Sequence, residues 1–187
     1  MSFLSYKKLK KMKLKHLGKN VKISEKASIY NPERISIGDN TRIDDFCILS
    51  AGSGGIEIGS NVHISCYVSL IGARKIKIND FVALSTRVAV FSSNDDYSGK
   101  YMTNATIPDK YKNVNNAPVI FQKHVLVGTG AVILPGVNIG MGAVVGALSL
   151  VKGNLKQLYI YAGIPVKKIK KRDKGFLKIQ ELFDSES

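Results

Sequence analysis

Three histidines, one pair of adjacent aspartates and two lysine-rich ends are the residues of this chain best suited to chemistry. The histidines are His16, His63 and His124, and the carboxylate pair is Asp95–Asp96. An imidazole titrates near pH 6.5 and suits a general base at neutral pH, whereas an unperturbed Asp near 3.9 does not. Two adjacent carboxylates suit the attraction and orientation of an ammonium ion, or an Asx-type turn that launches a loop. Cys47 and Cys66 read as reduced packing residues, and no Ser-His-Asp arrangement is apparent. His63 and His124 lie 61 residues apart, which argues against a three-histidine zinc site, so no metal is expected.

The net charge of +14 is concentrated at the ends. Residues 1–19 carry seven lysines and no acid, and residues 167–178 carry seven basic residues against one Asp. Lysine-rich ends suit contact with nucleic acid, anionic lipid or a phosphorylated ligand. The body shows no nucleic-acid module and no aromatic stacking surface, so no nucleic acid is expected as a partner. The N-terminus has no apolar core of a secretory signal, which predicts a cytoplasmic protein. The uncharged stretch 131–151 is long enough to span a bilayer, but it contains Pro135, Asn138 and four glycines in a six-residue phase and is not read as a membrane insertion.

That phase positions everything else. Aliphatic residues recur at Ile37, Ile43 and Leu49, then Ile58, Ile64 and Leu70, then Ile78, Leu84 and Val90. After an interruption the beat resumes at Phe121, Val127 and Ile133, then Ile139, Val145 and Val151. Neither a helix of 3.6 residues per turn nor a two-residue strand alternation gives a period of six. A triangular coil does, with three short strands per turn and one inward aliphatic per face. The hexads IGSNVH (58–63), VGTGAV (127–132) and IGMGAV (139–144) fit the left-handed parallel β-helix. The chain therefore reads as all-β, with a basic helical extension at 1–19, about five coils at 20–152 and a C-terminal segment with a helix at 153–187. The beat stops between Val90 and Phe121, where a polar, Asn- and Tyr-rich segment intervenes. Its residues 95–118 read as a looped-out excursion, ordered by packing of Tyr97, Tyr101 and Tyr111.

With the repeats, the excursion, the block HVLVGTGAVILPGV (124–137) and the ending AGIPVKKIKK (162–171) in view, the chain resembles the hexapeptide-repeat acyltransferases. That family includes galactoside and maltose O-acetyltransferases and bacterial polysaccharide and lipopolysaccharide acetyltransferases. The resemblance implies a homotrimer with three grooves between subunits, acetyl-CoA as acyl donor and a sugar or nucleotide-sugar acceptor. On the CoA side it points to Gly128, Thr129, Gly146 and Ala147 along the pantetheine arm, and to Lys152, Pro165, Lys167 and Lys168 at the nucleotide end.

The acceptor side departs from the family pattern. The slot of the family's catalytic histidine holds Asp95, flanked by Asn94 and Asp96, while His63 stands where relatives have an acceptor-pocket tyrosine. The expectation is that His63 acts as general base, oriented or charge-stabilised by Asp95 or Asp96. Asn94, Ser65, Tyr67, Tyr97 and His124 are expected around the acceptor. The carboxylate pair tilts the reading towards N-acylation of an amino sugar, with O-acetylation close behind. A non-catalytic CoA-binding or scaffold protein is the alternative.

Overall fold

The computed structural model describes residues 2–186. Its core is three files of side chains, each stacked in parallel register from coil to coil. Leu17, Ile37, Ile58, Ile78, Phe121 and Ile139 form the first file. Ile23, Ile43, Ile64, Leu84, Val127, Val145 and Tyr161 form the second. Ile29, Leu49, Leu70, Val90, Ile133 and Val151 form the third. Each file belongs to one parallel sheet, and the three sheets wall a left-handed β-helix of about seven turns. Adjacent coils sit one strand spacing apart, about 4.8 Å, so the inward side chains touch from rung to rung and almost all are fully buried.

Tight corners demand left-handed backbone at fixed places. One column of corners is Asn20, Asn40, Asn61, Phe81 and His124, with φ between 52° and 61°. The next is Phe46, Tyr67, Arg87, Gly130 and Leu148, with φ between 54° and 70°. Asn and Gly tolerate this conformation, and the bulkier residues occupy it only because the coils above and below fix the chain there.

The β-helix is longer than the sequence expectation of about five coils. The stretch 1–19 holds only a six-residue helix, α1 (Tyr6–Lys11), and the first coil already begins with the strand His16–Leu17. Leu17, Ile23 and Ile29 keep the six-residue beat, and the 3-10 turn Pro32–Arg34 lies in the corner that leads to Ile37 in the next coil. Beyond Val151 the chain adds a hairpin, Tyr159–Gly163 with Val166–Lys171, and then the helix α2 (Gly175–Ser185). The stretch 131–151 forms short β-helix strands as expected, and no helix is long and apolar enough to cross a membrane.

Leu70 lies in the middle of the third file with no exposed surface. Leu70→Ala leaves a cavity that rigid rungs cannot close, and a loss of about 2–5 kcal/mol is expected in chemical denaturation.

Candidate functional site

The excursion leaves the third sheet after the strand Ala89–Phe91. Ser93 and Asn94 pair antiparallel with Asn116 and Asn115 and pinch its neck. Within it, Asp96 accepts from the Ser98 backbone N–H at 2.7 Å, from the Ser98 hydroxyl and from Asn113 Nδ2 at 3.0 Å. These bonds, the Ser98 hydroxyl foremost, hold the Asp96 carboxyl below its ordinary pKa. Asp96 is therefore the turn former of the pair. Within one chain this polar clamp, and not tyrosine packing, orders the excursion: Tyr97 is 90% exposed, and Tyr101 and Tyr111 are about half exposed. A cleft of about 500 Å³ opens beside the neck, with Ser93, Lys112, Asn113 and Asn116 in its wall.

Asn94 and Asp95 at the neck have a different character. Asn94 Nδ2 donates to the Asp95 backbone carbonyl at 3.2 Å, but Asn94 Oδ1 is buried with no donor, alone in this among the described residues. The half-buried Asp95 carboxylate likewise makes no hydrogen bond or ion pair with them. A buried acceptor without a donor costs about 1–3 kcal/mol. Asn94 Oδ1 bears that cost, and with the neighbouring, partly solvent-exposed Asp95 carboxylate it matches a group that brings several N–H donors, such as an ammonium.

His63 lies on the second sheet, paired with Arg42 below and Ala83 above. Its Nε2 meets Asp44 Oδ2 at 2.9 Å, and Arg42 Nε donates to Asp44 Oδ1 at 2.7 Å. Because a carboxylate only accepts, in the neutral imidazole Nε2 carries the proton and Nδ1 the lone pair. Within one chain His63 thus meets Asp44, while Asp95 and Asp96 leave the third sheet one face further round. Asp44 is almost wholly buried while the His63 side chain is about half exposed. Asp44 was missed, although counting two residues on from Arg42, the coil partner of His63, puts it on the same outward face.

Beyond His63 on the same strand, the Ser65 hydroxyl meets Thr86 Oγ1 at 3.1 Å. Tyr67 sits at the next corner, stacked on Phe46 at 4.9 Å, with Arg87 on its other side at 5.6 Å. His124 occupies a corner with left-handed backbone, φ 61°. It stacks on Phe81 at 4.9 Å and packs against Phe176, and its Nε2 meets Gln180 Oε1 at 2.5 Å, which ties it to α2 and not to the excursion. Cys47 donates to the Ser65 carbonyl at 3.0 Å, and burial pushes its thiol up to about 11, consistent with a packing role.

Asp44, Ser65, Ser85, Gly128, Gly146 and Ala162 form one file along the corner after the second sheet. A Cβ at Gly128 would lie 2.5 Å from the Ala147 backbone nitrogen, and one at Gly146 would lie 2.9 Å from the Ala162 Cβ. Coil stacking alone thus requires these glycines small. Thr129 and Ala147 follow them at the corner. Lys152 is exposed past the last β-helix strand. Lys167 and Lys168 lie on the hairpin opposite Ala162 and Tyr161, one residue beyond the turn that holds Pro165. Lys168 Nζ lies 4.7 Å over the Tyr159 ring, and none of these lysines meets a carboxylate among the described residues. No group of three or more His, Cys, Asp or Glu side chains converges among the described residues.

No family model matches the chain. A dTDP-4-amino-4,6-dideoxy-D-glucose acyltransferase of Escherichia coli is 46% identical over 183 residues, covering 98% of this chain and 95% of its own. A putative lipopolysaccharide biosynthesis O-acetyl transferase of Escherichia coli K12 is 30% identical over 152 residues, covering 80% and 74%. AntD, an N-acyltransferase from Bacillus cereus solved with dTDP-4-amino-4,6-dideoxyglucose and coenzyme A, superimposes with a TM-score of 0.97 at 46% identity, over 100% of this chain and 99% of that one. The solved AntD forms include changes at a serine and at an aspartate ten positions further on. Ser85 and Asp95 stand at that spacing here.

The Asp96 clamp has a pH signature. Its folded pKa is depressed, so its contribution is complete above the ordinary carboxylate value of about 3.9 and is lost as pH falls through the depressed value. Asp96→Ala is expected to open the excursion to trypsin at neutral pH with little change in thermal midpoint. The parent chain should become equally sensitive there only in acid, as read by pepsin.

Proposed function

This chain belongs to the hexapeptide-repeat acyltransferases, and we propose that its acceptor is the amino group of a dTDP-linked 4-amino-4,6-dideoxyglucose. The donor is acyl-CoA, with acetyl-CoA as the simplest case. The observation that carries the amine is the pair of donorless acceptors at the excursion neck, Asn94 Oδ1 and the Asp95 carboxylate. A hydroxyl brings one hydrogen-bond donor, while an ammonium brings three and a charge. The 46%-identical relative named for that acceptor, and AntD solved with it, support the same reading.

In the proposed reaction Asp95 and Asn94 hold the ammonium, and His63 Nδ1 removes one proton. His63 is kept in the right tautomer by the buried Asp44. The amine lone pair then attacks the thioester carbonyl carbon. The oxyanion so formed is met by backbone N–H groups along the file of small residues at Gly128 and Gly146. As it collapses, the C–S bond breaks, the C–N bond of the amide remains, and the second amine proton leaves with the CoA thiolate as free thiol. Lys152, Lys167 and Lys168 face the phosphates of CoA beside Pro165, and Thr129 and Ala147 border the pantetheine arm. Arg87, exposed beyond Tyr67, offers a guanidinium to the diphosphate of the acceptor.

His63 and Ser85 belong to the second sheet and Asp95 to the end of the third. A single site that uses all of them is composed from two copies, the excursion of one lying over the second sheet of the next. This supports a homotrimer with three such sites, in a cytoplasmic enzyme of surface-polysaccharide synthesis.

Asp95→Asn and His63→Asn are each expected to lower kcat/KM by about 10²-fold while acetyl-CoA binding persists. Mixed oligomers of the two variants should regain about a quarter of parental activity, because random assembly pairs an intact His63 with an intact Asp95 at that fraction of boundaries. Near-parental turnover of either variant alone would refute the assigned role, and no recovery on mixing would refute the composite site.

A further inference from the structure

The lysines of residues 1–19 take no part in the chemistry above. All seven, from Lys7 on α1 to Lys19 at the edge of the first coil, are exposed. Among the described residues only the Lys8 side chain meets a carboxylate, Glu25 at 2.6 Å, while Lys19 reaches Asp39 through its backbone N–H alone. The apolar residues between them are turned the other way: Leu9 is buried, and Leu4, Met12, Leu14 and Leu17 pack against the core. The segment therefore lies across the open end of the β-helix with its lysines outward.

The chemistry of this end favours a bilayer over a nucleic acid. Residues 1–19 contain no arginine, so they offer compact point charges without the planar fork that reads phosphate or base edges in fixed geometry. Tyr6, 65% exposed, is the one exposed aromatic of the segment, and Lys10 Nζ already lies 4.9 Å over its ring. Bases would find no stacking platform there. Beside α1 opens a cavity of about 580 Å³ with Leu4, Leu9, Leu17 and Val21 in its wall and the polar Lys19, Asn20 and Asp39 at its side. The exposed lysines around it outnumber that one carboxylate and match a layer of anionic headgroups.

We propose that the N-terminal end of the β-helix docks the protein on an anionic membrane surface, its lysines against the headgroups and no segment inserted across the bilayer. Asp95 and the C-terminal hairpin belong to later coils, so docking by this end leaves them facing solvent. The proposal stands whether or not the acceptor assignment above is right.

The test is co-sedimentation of the full chain with phosphatidylcholine vesicles containing about one third phosphatidylserine, against vesicles of phosphatidylcholine alone. Binding is expected to the first and not the second, with release by about 0.5 M salt. Each lysine near such a surface contributes roughly fivefold to partition. Replacing Lys7, Lys10, Lys11 and Lys13 together by Gln is thus expected to lower partition about 10²-fold or more. Thermal midpoint and thiol release in solution should not change. If that variant fails to fold, Lys7→Gln with Lys11→Gln should lower partition at least about tenfold. Equal binding to both vesicles, equal partition of parent and folded variant, or tighter binding of an oligonucleotide than of vesicles at the same salt would overturn the proposal.

Discussion

Coil-to-coil register governs this molecule. Each face contributes one inward side chain per turn, and Ile43, Ile64, Leu84 and Val127 stack so closely that the interior offers no room to a ligand. The same register forces corners into left-handed backbone and requires Gly128 and Gly146 to stay small. Chemistry is thereby excluded from the core and confined to outward strand positions, corners and the one segment that leaves the coil.

The molecule uses those places in distinct ways. On the second sheet a buried carboxylate, Asp44, orients an imidazole and is itself balanced by Arg42. At the excursion neck the arrangement is reversed, with acceptors left without donors. In the proposed reaction one place takes a proton and the other receives a cation. Their separation on two faces of one chain makes a boundary between copies the natural position for the acceptor. At the C-terminal end, Lys167 and Lys168 on the hairpin meet no carboxylate among the described residues, and the proposed reaction gives them the phosphates of CoA.

Much of the fold was legible because a six-residue period has one geometric solution. Ile58, Ile64 and Leu70 announce three faces without any tertiary information. The first coil was not legible, because its first inward residue, Leu17, falls in the lysine-rich stretch that reads as a helical extension. Asp95 and Asn94 drew notice because an expected histidine was missing from their slot. The contact of His63 with Asp44 was not legible, because Asp44 is remote in sequence and reaches it only through coil register. His124 lies at a corner where stacking on Phe81 and α2 settles its surroundings, and nothing local in the sequence announces a helix returning from residue 175. The tyrosines of the excursion suggested packing, yet Asp96 supplies the order through polar bonds that composition alone does not distinguish.

The central claim is that the neck selects an amine. It is tested most directly by thiol release from acetyl-CoA with a dTDP-linked 4-amino-4,6-dideoxyglucose, compared with the same nucleotide sugar carrying a hydroxyl at that carbon. The account predicts rapid release with the amine, an amide as product, and little release with the hydroxyl. Equal or faster release with the hydroxyl sugar, or silence with the amine while acetyl-CoA still binds, would contradict it.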